Sequence, residues 1–516
     1  MRNPKFTPGT GSGKQAVSLR AALWPCVALA GCLAGCAAGP DYVRPPAPDQ
    51  ADSQTAFKED GPWRQAMPAA PDDAQPWWHA YGDEQLDALV GQAMAANQTL
   101  AQAQAQYRAA QALVRGAQAA YSPVVQAGAS AQRARAYSSG KSSLGDAHAW
   151  SLSASWEPDF WGSVSRSVEA AGDTAQATAA DLAAARLAVQ ASVVNDYLQL
   201  RITDRQKALY ARTIEAYRKS LDLTQAQFRA GVATHADVSL AESTLAATQA
   251  QAIDVNLTRR QTEHALAILL GRTPAGFSLA PDDASALPAL PGAPIGLPSQ
   301  LLERRPDIAG AERRVAAANA QIGVAQAAFY PHFTLSASGG NGGPGLALAS
   351  WAAAPTKAWA LGLALAGTIF DGGARDADLE HARADFDAAA ATYRQTVLDG
   401  FQEVEDNLAA VRELRQEFDA NLRATQSARA AERITLSQYR AGTVTYMNVI
   451  TAQALALTNE RSALQAQGRA YAASVALIKA VGGGWSAAQL PQGAQADRSA
   501  GEVAVSDSKD EHHEQQ

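Results

Sequence analysis

The side chains able to bind metals, attack carbonyls or hold phosphates are few in this chain, and their spacing suits none of those tasks. The eight histidines are His79, His148, His235, His264, His332, His381, His512 and His513, and no two stand one helical turn apart as a zinc-binding pair does. His512 and His513 lie in a polar run and read as solvated. Acidic pairs such as Asp282-Asp283 fall in a Pro-rich stretch, and no Gly-x-Ser-x-Gly turn offers a nucleophile. Gly9-Thr10-Gly11-Ser12-Gly13-Lys14 looks like a phosphate-binding loop, but that loop needs Gly where Pro8 stands and Ser or Thr where Gln15 stands, with a strand before it. A formal net charge of -7 gives no basic field for nucleic acid. The chain is therefore not read as an enzyme, and no metal, dissociable cofactor or nucleic-acid partner is expected.

All three cysteines, Cys26, Cys32 and Cys36, lie near the start, so the body holds no disulfide and no thiolate metal site. Arg2, Lys5, Lys14 and Arg20 flank a short apolar stretch, Ala21 to Ala34, too short for a comfortable membrane span. Residues 1–35 read as an export signal. They end in Leu33-Ala34-Gly35-Cys36, which resembles a bacterial lipoprotein cleavage box; Leu29-Ala30-Gly31-Cys32 is an overlapping candidate. Cys36 is preferred because a polar, Pro-rich arm begins at Gly39-Pro40-Asp41-Tyr42. The expected modification is a diacylglycerol thioether and an N-acyl chain on Cys36, each buried methylene adding about 0.8 kcal/mol of membrane affinity. Ala37, where sorting to the inner membrane would use Asp, resembles the outer-membrane pattern.

The elements beyond the arm (36–82) are duplicated. Phe228-Arg229-Ala230-Gly231 recurs as Tyr439-Arg440-Ala441-Gly442, an offset of 442 - 231 = 211 that also carries Gly271 onto Gly482. Ala117-Gln118-Ala119-Ala120 recurs as Ala325-Gln326-Ala327-Ala328, and Pro123 as Pro331, an offset of 208. The two copies, 83–271 and 299–485, are too long for solenoid units and read as a duplicated domain-sized unit. Each predicts a moderate helix (about 83–120 and 299–328), two strands, a very long helix (about 163–229 and 372–440), a Gly turn and a last helix (about 234–270 and 445–481). A Pro-rich connector, 272–298, joins the copies, and a polar tail, 486–516, reads as disordered.

The strands alternate. Val125, Ala127, Ala129 and Ala131 share one face, as do Trp150, Leu152, Ala154 and Trp156, with Ser151, Ser153 and Ser155 opposite. Phe333, Leu335 and Ala337, then Trp359, Leu361, Leu363 and Leu365, repeat the pattern. Each run is about ten residues, the reach of a tilted membrane strand, and Trp150, Trp156, Trp161 and Trp359 suit aromatic girdles. The long helices carry a diluted seam at Ile214, Tyr217, Leu221, Thr224 and Phe228. Four strands cannot close a barrel in lipid, so the chain must oligomerise if they enter a membrane. Four helix rows per chain give a lumen of roughly 15 Å for a dimer and roughly 28 Å for a trimer.

Several motifs resemble those of the TolC-like outer-membrane factor family, in its NodT-like lipoprotein branch. They are Cys36-Ala37-Ala38-Gly39-Pro40-Asp41-Tyr42, Trp156-Glu157-Pro158-Asp159-Phe160-Trp161-Gly162, Leu301-Leu302-Glu303-Arg304-Arg305-Pro306-Asp307-Ile308 and Ala328-Phe329-Tyr330-Pro331. The resemblance implies a mixed membrane α+β fold: a homotrimeric duct with a twelve-strand outer-membrane β-barrel continuous with a twelve-helix periplasmic α-barrel. It implies a lipid-anchored channel passing small toxic compounds outward from a resistance-nodulation-division (RND) pump and its periplasmic adaptor. By the same resemblance the adaptor docks at Arg229, Gly231, Val232, Tyr439, Arg440, Gly442 and Thr443. The periplasmic gate falls at Asp237, Tyr439, Tyr446, Met447, Asn448 and Thr451. Asn448 and Thr451 stand where some members carry acidic rings, and Val444 where they carry a pairing Arg. Asp237 and Tyr439 are then expected to form one link between neighbouring helices, and Tyr446 with Met447 a hydrophobic constriction. A type I protein-secretion duct and a structural coiled-coil spacer are the alternatives.

Overall fold

Alternating apolar residues and two glycine-ended 67-residue helices translate directly into the architecture. The computed structural model describes residues 38–46, 57–58, 76–138, 140–282, 287–291, 301–344 and 357–491. Cys36, the export signal, most of the arm, part of the connector and the tail from 492 fall outside the described residues. The chain divides into two units, one containing Ala117–Val168 and Ala320–Ala382, the other Tyr42–Gly116, Glu169–Asn319 and Arg383 onward.

The first unit is built on an antiparallel sheet of order β1 (Val124–Ser138), β2 (Lys141–Trp156), β3 (His332–Pro344) and β4 (Lys357–Ala366). Register aligns Ala127 with Leu152, Leu152 with Gly339, and Gly339 with Trp359. Cross-strand partners share a face, so Val125, Trp150, Leu152, Leu335, Trp359, Leu361, Leu363 and Leu365 form one apolar surface. All eight are exposed in the single chain. The opposite face carries Ser151, Ser153, Ser155, Ser336 and Ser338. Apolar outward and small or polar inward is the pattern of a membrane barrel. Among the described residues, β1 and β4 each pair on one side only. Trp156 donates from Nε1 to the Tyr121 carbonyl (3.0 Å), and Trp161 to that of Pro331 (2.7 Å), its ring stacked 4.8 Å from Tyr330. These rings form an aromatic cluster at one end of the strands, while Trp150 and Trp359 lie nearer the other.

The second unit is helical: α1 (Glu84–Ala96), α2 (Gln98–Gln118), α3 (Ser163–Arg229), α4 (His235–Leu269), α5 (Leu301–Arg304), α6 (Pro306–Ala327), α7 (Ala374–Arg440) and α8 (Tyr446–Ala480). The ends of α2, α3, α6 and α7 extend into the first unit. The single helix expected over 83–120 is broken at Asn97. That residue is extended (φ -67°, ψ 126°), and its Oδ1 caps α2 by accepting from the Leu100 N–H. The helix expected over 299–328 is broken at Arg305, because proline at 306 disfavours helical backbone in the residue before it.

The two breaks are one joint, made twice. Asn97 Nδ2 donates to the carbonyl of Leu269 at 2.9 Å, and Arg305 Nη1 to that of Ala480 at 3.0 Å. Each therefore satisfies a carbonyl at the end of a returning helix. One residue before each break, the carbonyls of Ala96 and Arg304 lie against Gly271 and Gly482, both at positive φ (67° and 91°). A Cβ at either glycine would collide with that carbonyl. Arg305 also reaches Glu403 (2.8 Å) and Asp307 (2.6 Å), tying α6, α7 and the end of α8 together. The main core surrounds the first joint: Leu86, Val90, Tyr197, Leu198, Ile202, Leu266, Leu270 and Tyr471.

The arm is pinned within each unit. Ala38 donates its N–H to Trp161 (2.9 Å), and Arg166 bonds Asp41 (2.9 Å). In the helical unit Tyr42 donates to Glu312 (2.6 Å), and Phe57 is buried among Val404, Leu408 and Leu477.

Gly482→Ala or Gly271→Ala is expected to cost at least about 2 kcal/mol, from left-handed backbone and the collision. Gly116→Ala, with open space around it in α2, should be neutral or stabilise by up to about 1 kcal/mol. Thermal melting followed by circular dichroism checks this; a Gly482→Ala protein melting with wild type would refute the joint.

Candidate functional site: the paired helical tips

A long helix must end cleanly to let its partner return beside it. Helix α3 does so with Gly231 at φ 74°, whose N–H donates to the Phe228 carbonyl (2.9 Å) while the Val232 N–H reaches Gln227 (2.8 Å). Helix α7 ends identically: Gly442 at φ 74°, its N–H on Tyr439 (3.0 Å), and the Thr443 N–H on Gln438 (3.0 Å). This paired bonding closes the last turn and needs a residue tolerant of left-handed backbone. Arg229, Val232, Arg440 and Thr443 are exposed around the two turns, Val232 at 70%.

The helices that follow start differently. Thr234 opens α4 with a reciprocal cap: its hydroxyl oxygen accepts from the Asp237 N–H (3.2 Å), and the Asp237 carboxylate accepts from the Thr234 N–H (2.9 Å). At the matching positions of α8, Thr445 makes no side-chain cap bond and Asn448 replaces the aspartate. A missing cap of this kind costs about 1 kcal/mol.

Two tyrosines point into the protein. Tyr439 and Tyr446 are 5% and 3% exposed, with ring centroids 5.3 Å apart, packed with Ala241 and Val449. Tyr439 donates to Thr224 Oγ1 (3.2 Å), and Thr224 donates onward to the Ser220 carbonyl (2.9 Å). Burial pushes the Tyr217, Tyr439 and Tyr446 hydroxyls above the ordinary tyrosine range, keeping them neutral donors. This corrects two expectations. Tyr446 is enclosed by its own chain, so it cannot narrow a passage together with Met447. Asp237 is committed to capping Thr234 while Tyr439 bonds Thr224, so no Asp237–Tyr439 link forms within the chain. Met447, Asn448 and Thr451 are exposed on one face of α8. Sequence reasoning placed Tyr217 and Thr224 on the α3 seam but missed the run of hydrogen bonds from Tyr439 through the Thr224 hydroxyl to the Ser220 carbonyl. The remaining gate and docking residues lie together at these tips, and Cys36 lies outside the described residues.

An antiparallel sheet with one lipid-suited face, joined in one chain to paired long helical hairpins, defines a duct-forming membrane protein. The chain matches the family described as outer membrane efflux protein over residues 89–272 and 297–483. Pyoverdine export outer membrane protein OpmQ of Pseudomonas aeruginosa is 32% identical over 427 residues, covering 80% of this chain and 88% of the relative. Toluene efflux pump outer membrane protein TtgI of Pseudomonas putida is 30% identical over 465 residues, covering 89% and 97%. Among solved structures, the outer-membrane channel OprN superposes with a TM-score of 0.77 at 31% identity, covering 87% of this chain and 100% of that one. VceC of Vibrio cholerae superposes at 0.72 with 29% identity, covering 79% and 98%. The chain belongs to the outer membrane efflux protein family, a family of channels and not of enzymes. Its fold is TolC-like, and it serves in the outer membrane as the channel component of an RND-type efflux system.

Tyr446→Ala should destabilise the α7–α8 hairpin by about 3 kcal/mol through the cavity it leaves, with Tyr446→Phe within about 1 kcal/mol of wild type. Met447→Ala should stay within about 0.5 kcal/mol. Denaturant melts with limited proteolysis at the tips read both; equal effects of the two alanines would restore the shared constriction.

Proposed function

We propose that three copies of this chain close into the duct, and that the two tips receive the periplasmic adaptor of an RND pump. The observation that carries this is the repetition of one exposed turn at Gly231 and Gly442, with Arg229, Val232, Arg440 and Thr443 offered around it. An isolated helix cap needs no such exposed pair, whereas a ring of matched turns suits a ring of adaptor subunits. The edges of β1 and β4, unpaired among the described residues, support oligomerisation, since lipid itself gives backbone groups no partner. Conduction is passive; the pump supplies the energy and selects the cargo.

Lipidation at Cys36 fits the same picture. Ala38, two residues on, hydrogen-bonds Trp161 within the aromatic cluster at the end of the strands. An acyl chain starting there would enter lipid where the rings mark its edge.

Purified protein should give a trimer mass in detergent and discrete channels in planar bilayers; a monomer without conductance would defeat the assembly. Val232→Asp with Arg440→Glu should keep mass and conductance but abolish drug resistance and adaptor crosslinking in cells supplying an RND pump and adaptor. Unchanged resistance would remove the adaptor from these tips. Cys36→Ser should abolish labelling by radioactive palmitate, while Cys32→Ser leaves it; the opposite result would move the anchor to Cys32.

A further inference from the structure

We infer that the lipid-facing side of the β1–β2 hairpin binds the phosphate groups of an outer-leaflet glycolipid through Arg133 and Arg135. The argument begins with strand reach. A tilted strand crosses the hydrocarbon layer in about 9–11 residues. Counted from Val125, the first member of the apolar face on β1, that reach ends at 133–135. The register confirms the level on the neighbouring strand: Arg133 faces Asp146 and Arg135 faces Leu144, beyond the last apolar pairing of Ala129 with Trp150. Residues 125, 127, 129, 131, 133 and 135 share one face of β1 by the period of two. Both arginines therefore stand on the lipid side, roughly 7 Å apart, where the apolar surface ends.

Charge pairing separates this edge of the sheet from the other. Near the inner edge, Arg166 is held by Asp41 (2.9 Å) and Arg375 by Asp371 (2.5 Å) and the Thr368 carbonyl (2.9 Å). At the outer edge, Arg133 is 66% exposed and has only a 3.4 Å approach to Asp146, itself 32% exposed. Arg135 is exposed and has no ion-pair partner among the described residues. Tyr137 and Leu144, on the same face, are exposed beside the arginines. Guanidinium forks match phosphate oxygens in pairs, and an apolar flank suits the acyl chains below the headgroup. A phosphorylated glycolipid supplies both at this depth; a soluble anion supplies only the first.

The test uses full-length protein in detergent, with lipid adducts counted by native mass spectrometry. Diphosphoryl lipid A should be retained about tenfold more strongly than dephosphorylated lipid A, and Arg133→Gln with Arg135→Gln should remove that preference. Conductance of the same samples should not change, which separates loss of the lipid site from loss of the duct. If the double variant fails to assemble, Arg135→Gln alone serves, because Arg135 has no ion-pair partner among the described residues. Equal retention of the two lipids by wild type, or unchanged retention by a variant, would overturn the assignment. Displacement of lipid A by millimolar inorganic phosphate would point to a free-anion site and overturn it equally.

Discussion

The constraint on which the rest depends is the open edge of the four-stranded sheet. A strand in lipid must have every backbone N–H and C=O paired, and among the described residues β1 and β4 each leave one side unpaired. One chain cannot meet this condition. Only further copies, edge to edge, complete the ladder, and the alternation of leucine and tryptophan against serine fixes which face turns to lipid. A one-residue slip of β2 would put Ser151 and Ser153 in hydrocarbon and Leu152 in water. The apolar pattern thus specifies register as well as location.

Duplication determines the helical part. Two copies with offsets of 208 and 211 residues place the same physical device at the same place. A polar side chain at 97 or 305 caps the returning helix, and a glycine at 271 or 482 lets two backbones touch. The chemistry of the cap has diverged. Asn97 bridges α2 and α4 with one amide, whereas Arg305 also bonds Glu403 on α7 and so gathers three helices. The Arg-Pro-Asp sequence that marks the second copy has a structural reason: proline makes the break, arginine fills it, and Asp307 holds the guanidinium in place.

Much of this was readable in advance, and the failures have physical causes. The long helices were expected over 163–229 and 372–440 and occupy Ser163–Arg229 and Ala374–Arg440, because glycine punctuates their ends and alanine fills their length. All four strands were visible from period two, though β1 and β2 run to 15 and 16 residues where about ten were expected. The extra length belongs to the hairpin beyond the apolar face, where alternation no longer signals burial. The break at Asn97 was missed because asparagine is tolerated in helices, and only its contact with Leu269 makes it a cap. At the tips the glycines were legible, since their φ admits few other residues. The inward direction of Tyr446 was not: helical periodicity gives a face, but which face meets its own chain depends on all the neighbouring rows.

The tips also show how two copies of one turn acquire different stiffness. Both are locked by the same glycine bonding, so neither can lengthen its long helix. Beyond the glycine, Asp237 caps α4 and the corresponding Asn448 does not cap α8. The second hairpin is held at its tip by side-chain burial instead, through Tyr439, Tyr446 and the bonds from Tyr439 to the Thr224 hydroxyl and from Thr224 to the Ser220 carbonyl. A local cap holds a helix end wherever that end moves, whereas a packed tyrosine holds α8 against α3 in particular. The first hairpin is therefore stabilised independently of its surroundings and the second through them. Displacing the α7–α8 hairpin from α3 must expose both tyrosine rings and unpair the Tyr439 hydroxyl from Thr224.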